Sequence, residues 1–393
     1  MHKNDITDLL NLQGVIVKKQ KFNKDSIELW IECKRNVHIC PCCKHETSRI
    51  HDYYSRTFNH INIGKKTSTI HYLQRRYVCT SCSKRFAEKN TFITRFYRHS
   101  NEVVNSVFDD LTDLYNFKQI GKNNNMSAQN VSRLMNKFIP LFHHTRYLPE
   151  AIGIDEFRGN AGGNKFQVAI TDLKTHKVID VISARTIEAL SFFFRNIINK
   201  DDVKLVTMDL SLFFKNIIVE HFKNATIIAD TFHYTRLMHY ALDNVRKKIQ
   251  RTLPKDMRLY FKHSKSVLHK RIDKLSVDEY HQLCNMLDYS EELRWSYSIV
   301  QKVFEFVDEK DPHKKEMLFK EFMIYAQNCN IEYFNKHIPT YFKWYKYIIN
   351  SFYTQYSNGI TEGLNTKIKT LKRISFGFKN FNNFRLRILM ACS

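Results

Sequence analysis

Ile152-Gly153-Ile154-Asp155-Glu156-Phe157 opens the stretch that decides the fold. It reads as a strand carrying an acid near its end. Residues 165–172 read as a second strand, and a four-residue turn leads to a third over 177–184. Helical spacing follows over 186–199, then a strand over 203–209, a helix over 211–222 and a strand over 225–230. The order is β-β-β-α-β-α-β. It predicts an antiparallel three-stranded meander extended by parallel strands through helical crossovers.

Such a mixed sheet is ribonuclease-H-like, although the order leaves other α/β folds open. In an open sheet, residues at the carboxyl ends of strands gather in one crevice. Asp155 lies in the first strand and Asp209 ends the fourth. Asp230 ends the next strand outward, with His233 three residues on. Neighbouring strands are about 4.8 Å apart, so carboxylates on adjacent strands can share metal ions, and each further strand adds the same spacing. That geometry predicts Asp209 as the partner of Asp155. Imidazole is a softer ligand than Mg²⁺ prefers. Asp230 and His233 are therefore expected as supporting residues.

Beyond Asp230 the chain reads as helical. No glycine occurs between Gly163 and Gly359, and proline only at Pro254, Pro312 and Pro339, which suits long helices without tight hairpins. The aromatic residues Tyr341, Phe342, Trp344, Tyr345, Tyr347, Phe352, Tyr353 and Tyr356 fit core packing better than stacking on bases. The stretch from Ser357 to Arg373 then forms a helix from Thr361 onward. Leu364, Ile368 and Leu371 make its apolar stripe, with Glu362, Lys369 and Arg373 opposite. Glu362 is the only acid between Ser357 and Ser393, in a segment with seven Lys and Arg from Lys367 to Arg387. A lone carboxylate among cations suits a hard metal ligand beside a phosphate backbone. Asp155, Asp209 and Glu362 together can hold two Mg²⁺ ions roughly 4 Å apart for an in-line displacement at phosphorus.

The N-terminal third has a different grammar. Cys40-Pro41-Cys42-Cys43 and Cys79-Thr80-Ser81-Cys82 are two C-x-x-C knuckles, preceded by a strand near 26–32, with a strand over 68–76 between them that feeds the second, as in a zinc ribbon. Cys40, Cys43, Cys79 and Cys82 are the expected ligands of one structural Zn²⁺. Cys42 is a spare thiol, and His38, His45 and His51 are alternative ligands. A helix over 101–117, a break over Gly121 to Asn125 and a second helix over 127–137 capped by Ser127 follow the helix-turn-helix pattern. Gln129, Asn130, Arg133 and Lys137 are types that read bases or phosphates. The 393 residues suit two to four domains. A net charge of +23 points to a polyanion, nucleic acid before membrane. The chain has neither an apolar run of about 18 residues nor a signal-peptide core at its start. Nine cysteines, mostly in tight pairs, suit a reducing compartment and metal binding.

These motifs resemble the bacterial insertion-sequence transposases of the ISL3 type, within the DDE superfamily. The resemblance runs over nearly the whole chain. It rests on the cysteine knuckles, Ile154-Asp155-Glu156-Phe157, Asp230-Thr231-Phe232-His233, and Ser357-Asn358-Gly359 through Glu362-Gly363-Leu364-Asn365 to Asn380-Phe381. It implies a multidomain α/β protein with an N-terminal zinc ribbon and helix-turn-helix, then a ribonuclease-H-like core interrupted by an all-helical insertion. It also implies a DDE triad, Mg²⁺-dependent cleavage and joining at element ends, and a DNA-contacting cation at Lys369, seven residues after Glu362. Asn365, Lys372 and Arg373 are further expected DNA contacts. The expected partition is 1–98, 99–148, 149–234, 235–355 and 356–393. The expected partners are element-end inverted repeats, target DNA and further copies of the chain, with no membrane and a cytoplasmic, nucleoid-associated location. An inactive or domesticated DNA-binding regulator, and a ribonuclease-H-like nuclease or resolvase, are the alternatives.

Overall fold

The computed structural model describes residues 3–392, with side chains from Ile6 onward. The chain divides into two compact units: residues up to His143 together with Thr370–Cys392, and His144–Lys369. Among the described residues no helix is long and apolar enough to cross a membrane.

In the first unit a helix α1 (Lys3–Leu9) precedes strands β1 (Val15–Phe22) and β2 (Ser26–Cys33). The two-residue strands β3 (His38–Ile39) and β4 (Glu46–Thr47) form their own ladder. The long hairpin β5 (Ile50–Ile63) and β6 (Lys66–Val78) and the short β7 (Arg85–Ala87) complete a sheet of order β1-β2-β6-β5, with β7 also on β6. Gly64, at φ +61°, supplies the left-handed residue of the two-residue hairpin turn. Leu29, Ile31, Phe58, Ile70 and Tyr72 build the core on one sheet face.

Three helices follow: α2 (Asn101–Thr112), α3 (Phe117–Asn123) and α4 (Ala128–Lys137). Ser100, Asn116 and Ser127 cap their N-termini through side-chain oxygens, and Ser127 is the cap read from the sequence. The sequence reading of one helix over 101–117 and a break from Gly121 is corrected: α2 ends at Thr112, and Gly121 lies inside α3. A Cβ on Gly121 would sit 2.5 Å from the Met126 carbonyl oxygen, so glycine here permits close packing of the following turn. The C-terminal helix (Phe381–Cys392) belongs with these three. Its Leu386 and Met390 share a core with Val107, Leu111, Ile120, Val131, Leu134 and Met135. Its buried Arg387 donates to the carbonyls of Leu111, Asp113 (2.6 Å) and Tyr115 (2.9 Å) just past α2, and burial pulls this guanidinium down to about 10. This helix, part of the expected 356–393 segment, groups with the first compact unit.

The second unit is built on β8 (Ala151–Phe157), β9 (Gln167–Asp172), β10 (Lys177–Ile182), β11 (Leu205–Met208) and β12 (Thr226–Ala229). Their order is β10-β9-β8-β11-β12. The first three are antiparallel neighbours, and β11 and β12 extend β8 in parallel. Helices α5 (Ile187–Arg195) and α6 (Leu212–His221) are the crossovers. From α7 (Thr231–Thr252) the chain is helical: α8 (Lys255–His263), α9 (Lys265–Leu268), α10 (Val277–Tyr289), α11 (Glu291–Asp308), α12 (Pro312–Asn328), α13 (Glu332–Asn335) and α14 (Ile338–Phe352). Tyr341, Trp344 and Phe352 are core residues, as the packing reading of the aromatic cluster expects, and Phe342 and Tyr353 are exposed.

The last helices are α15 (Gly359–Ile374) and α16, the C-terminal helix already described. The buried positions of α15 within this unit are Thr361, Asn365 and Ile368, and Leu364 is only half-buried, so the apolar stripe read from the sequence is partly polar. Thr361 donates to or accepts from Thr171 on β9 at 2.8 Å. A Cβ on Gly153 would meet the Thr361 hydroxyl at 2.2 Å and that of Thr171 at 2.5 Å. Glycine is what lets α15 lie against β8. Gly153→Ala is expected to destabilise the chain by about 1–3 kcal/mol through overpacking, and Thr361→Ala in that background to recover part of the loss. Chemical denaturation measures both, and an unchanged midpoint in Gly153→Ala would show that the helix is not seated on this strand.

Candidate functional site

The register of the parallel strands sets the site. Ile154 pairs with Met208, and Met208 with Ala229. The next residues, Asp155, Asp209 and Asp230, therefore lie at one level across three adjacent strands, each strand about 4.8 Å from the next. Asp230 is also the N-cap of α7 and accepts from the Phe232 amide at 3.4 Å. One turn into α7, His233 Nδ1 lies 3.0 Å from Asp209 Oδ1. Ligand atoms of Asp209, Asp230 and His233 all fall within 4.8 Å of one another.

Residues of α15 and the turn before it hold the acids from the other side. Asn365 Nδ2 donates to Asp155 Oδ2 at 2.6 Å, and Asn358 Nδ2 approaches Asp209 Oδ1 at 3.4 Å. Strand residues two apart are separated by about 6.6 Å and helix residues four apart by about 6 Å. Thr361 and Asn365 thus match Gly153 and Asp155 step for step. Glu362, the next residue on the helix, is exposed at the edge of the acid row, where its charge acts on Asp230.

The electrostatics are those of crowded acids. Burial, then the charges of Asp155 and Asp230, pushes Asp209 up to about 8. Burial also raises Asp155 and Asp230, against hydrogen bonds to Asp155 and the nearby His233. A divalent cation among these oxygens relieves that repulsion, and the donor set is the hard carboxylate type suited to Mg²⁺. The Asn365 carbonyl oxygen, buried without a hydrogen-bond partner, adds another hard donor beside Asp155.

In the first unit Cys40, Cys43, Cys79 and Cys82 offer sulfur atoms all within 4.8 Å, with Cys40–Cys82 at 3.6 Å and Cys43–Cys79 at 3.4 Å. Four sulfurs at about 2.3 Å from a tetrahedral Zn²⁺ stand about 3.7 Å apart. The two knuckles repeat one backbone pattern. The Cys40 amide donates to the His45 carbonyl and that of Cys79 to Lys84, while Lys44 and Ser83 both take positive φ. The Cys43 backbone amide holds the Cys40 thiol down at about 6, whereas at Cys82 the lowering by the Lys84 backbone amide is outweighed by neighbouring thiols and burial, which push it up to about 12. Cys42 is exposed outside the cluster, and His38 packs its ring on Tyr77 at 4.3 Å.

Residues 152–388 match the family model for transposases of the ISL3 DDE type. Residues 36–82, which span both cysteine knuckles, match the zinc finger of the IS204/IS1001/IS1096/IS1165 transposases. The chain belongs to the ISL3 transposase family. It is 20% identical to the transposase for insertion sequence element IS1001 of Bordetella parapertussis, over 96% of this chain and 95% of that one. A 105-residue stretch is 35% identical to a protein named ATP-dependent protease from Lactococcus lactis subsp. lactis, covering 27% of this chain and 32% of that protein. A match of under a third of either chain says nothing of the activity of the whole. The zinc-finger match and the four-thiol cluster together support a structural Zn²⁺ in this ISL3-family chain.

The remaining residues singled out in the sequence are dispersed over these elements. Gln129, Arg133 and Lys137 are exposed along α4 and Asn130 is half-buried, with Arg133 Nη1 3.5 Å from Asn130 Oδ1. Lys369 and Arg373 are exposed on α15 and Lys372 is half-buried. Asn365, an expected DNA contact, is 1% exposed and donates to Asp155. Asn358, Thr361 and Gly153 were not singled out for this work. Their signal was polar residues at helical spacing, 358, 361 and 365, on a face that also has to pack. For the zinc cluster, Cys79→Ser is expected to bring zinc from one per chain to none, and Cys42→Ser to leave it at one. Elemental analysis of the purified proteins decides, and retained zinc in Cys79→Ser would remove Cys79 from the ligand set.

Proposed function

We propose that this ISL3-family chain is an active DDE transposase that binds the ends of an insertion sequence and catalyses Mg²⁺-dependent strand cleavage and strand transfer. The observation that carries the reading is the level row of Asp155, Asp209 and Asp230 across three parallel strands, with Glu362 on a helix seated over it. The order β10-β9-β8-β11-β12 supports a ribonuclease-H-like core, with α7 to α14 as the helical insertion. Asp155, Asp209 and Glu362 are the proposed ligands of two metal ions. When bound, the cations supply Lewis-acid charge to the attacking and leaving oxygens of an in-line displacement. The chain's own residues set the geometry. Asn365 fixes the Asp155 carboxylate, His233 and Asn358 both contact Asp209 Oδ1, and Asp230 ties the start of α7 to the same level.

Helices α3 and α4, joined by a short turn, support a helix-turn-helix. Gln129, Asn130 and Arg133 are then placed to read base edges, and Lys137 to contact phosphate. Lys369, Lys372 and Arg373 are the proposed contacts to DNA near the cleavage point. The DNA partners are the element's terminal inverted repeats and its target, and at least two copies of the chain pair the ends.

The test is cleavage of duplexes carrying the element's ends, with Mg²⁺ and with Mn²⁺. Asp209→Asn and Glu362→Gln are expected to abolish nicking in both metals while end binding persists. Asp230→Asn, which alters a supporting residue, is expected to retain activity lowered by about 10–100-fold. The opposite ranking of Asp209 and Asp230 would move the ligand role to Asp230, and wild-type cutting by Glu362→Gln would remove Glu362 from the triad. Arg133→Ala is expected to weaken end binding by about 1–3 kcal/mol relative to unrelated DNA. An unchanged preference would exclude α4 as the reading helix.

A further inference from the structure

The first unit carries a groove of about 1190 Å³ on the β5–β6 hairpin, and no function described above uses it. Among its lining residues are Lys84, Arg85, Lys89, Arg95, Phe96 and Arg98. Residues 51–100 contain ten Lys and Arg but only two acids, Asp52 and Glu88. Both acids are already engaged. Asp52 pairs with Arg76 and His51, and the buried Glu88 with Arg75 and the Tyr72 hydroxyl. The cations at 84, 85, 89, 95 and 98 are all exposed, so the groove presents a positive field with no acid of this stretch left to neutralise it.

Phe96 is the second unusual feature. It is 84% exposed, the Arg95 guanidinium lies 4.6 Å from its ring centroid, and its backbone is left-handed at φ +67°. That conformation is strained for a bulky side chain and persists only where the surroundings impose it. Here they do. Arg56 Nη2 donates to the carbonyls of both Thr94 and Tyr97 at 3.2 Å, Tyr97 N donates to Thr94 O, and Asn101 Oδ1 accepts from Thr94. A clamped turn thus holds an apolar ring out into solvent among cations.

The groove also adjoins α4. Lys137, at the end of that helix, lies 3.5 Å from the ring centroid of Tyr97, which lines the groove. The second zinc knuckle sets the other end, because Cys79 N donates to Lys84 O and Arg85 pairs with Val78.

We propose that this groove is a second DNA-contact surface, which grips the backbone of duplex DNA through Lys84, Arg85 and Arg98 and inserts Phe96 as a wedge between base pairs. The occupant is duplex DNA because the groove is continuous with α4, whose exposed polar face suits a major groove. An apolar ring flanked by arginine is the side chain that unstacks a base step from the minor groove. The proposal rests on the reading of the chain as a DNA-binding transposase and adds to it a sequence-independent contact.

The experiment uses the full-length, zinc-loaded chain and duplex DNA of random sequence, so that it is independent of end recognition. Affinity is followed by anisotropy from 50 to 200 mM salt for the wild type and for Lys84→Ala/Arg85→Ala/Arg98→Ala. Each lost phosphate contact lowers the slope of log K against log salt by about 0.9. Loss of two to three contacts should shrink the fourfold-salt affinity ratio by about tenfold or more, and the charge-keeping Lys84→Arg/Arg85→Lys/Arg98→Lys variant should restore it. Wedge insertion is read by relaxing plasmid with a topoisomerase in the presence of the chain. Wild type should shift the topoisomer distribution, and Phe96→Gly, which also relieves the backbone strain, should abolish the shift. An unchanged salt slope in the triple alanine variant overturns the groove as a DNA contact. Absence of a topoisomer shift in the wild type, or its survival in Phe96→Gly, overturns the wedge. A chain with the groove-dependent slope but no preference for element ends would instead defeat the end-reading role of α4 and leave the groove standing.

Discussion

The contact between Thr361 and the bare Cα of Gly153 is the constraint on which the candidate site depends. Two elements separated by about two hundred residues of sequence approach closely only because one position on β8 lacks a side chain. Once α15 is seated there, helix and strand spacing bring Asn365 to Asp155, while Asn358 reaches Thr207 and Asp209. Glu362 and Lys369 are exposed on α15, and the charge of Glu362 acts on Asp230. Packing and chemistry are therefore set by one contact. A shift of α15 along the strand by one helical turn would exchange Asn365 for Thr361 or Lys369 opposite Asp155.

The second constraint is electrostatic. Folding gathers Asp155, Asp209 and Asp230 in a half-buried crevice, which costs free energy because burial and mutual repulsion both disfavour the ionised state. The surroundings offset part of that cost through Asn365, His233 and the Phe232 amide at the start of α7. None of these removes the repulsion among the three acids. A stable fold tolerates such a cluster where binding of a cation repays it, and crowded, partly paired acids are a signature of a functional site more than of a structural one. The four cysteines are a parallel case in the other unit. Backbone amides stabilise thiolate at Cys40 and Cys79, and sulfur neighbours oppose it at Cys82, which leaves a site whose charge a zinc ion balances.

The core sheet was legible because its strands are short apolar runs separated by turn and helix signals, and because parallel neighbours follow from crossovers. The zinc cluster was legible because C-x-x-C spacing needs no tertiary information. The errors fall where tertiary context outweighs local pattern. Helix α3 has seven residues, contains a glycine and runs into Asn123, Asn124 and Asn125, which on propensity alone reads as a break. Asn365 lies among basic residues, and its bond to Asp155 shows only once the strand beneath it is known. The grouping of the last helix with the first unit was not legible because its burial partners, Leu111 and Val131 among them, lie more than two hundred residues away and no periodicity names them. Phe96 and its clamp were invisible for a related reason: the left-handed turn depends on Arg56, forty residues upstream.

The long helical stretch proposed as an insertion separates Glu362 from the acids that precede it. The insertion is anchored at both ends to the strand that bears Asp230. Helix α7 starts from Asp230 itself, and α14 returns along β12, where Asn350 Nδ2 donates to the Ile227 carbonyl at 2.8 Å. The Tyr341 hydroxyl on α14 donates to the carbonyl of Tyr234 on α7, the residue after His233. The exit and re-entry of the insertion are thereby held together by direct hydrogen bonds, within one continuous apolar core that runs from the sheet to α14. The closure entropy of the long segment is met by that core, not by the short link to Glu362. From Phe352 only six residues separate the end of α14 from the start of α15. The distance in sequence is large, but the mechanical path from Asp230 to Glu362 runs through one strand, one helix end and a short turn. That path links the start of α15 to β12 without relying on the length of the intervening helices.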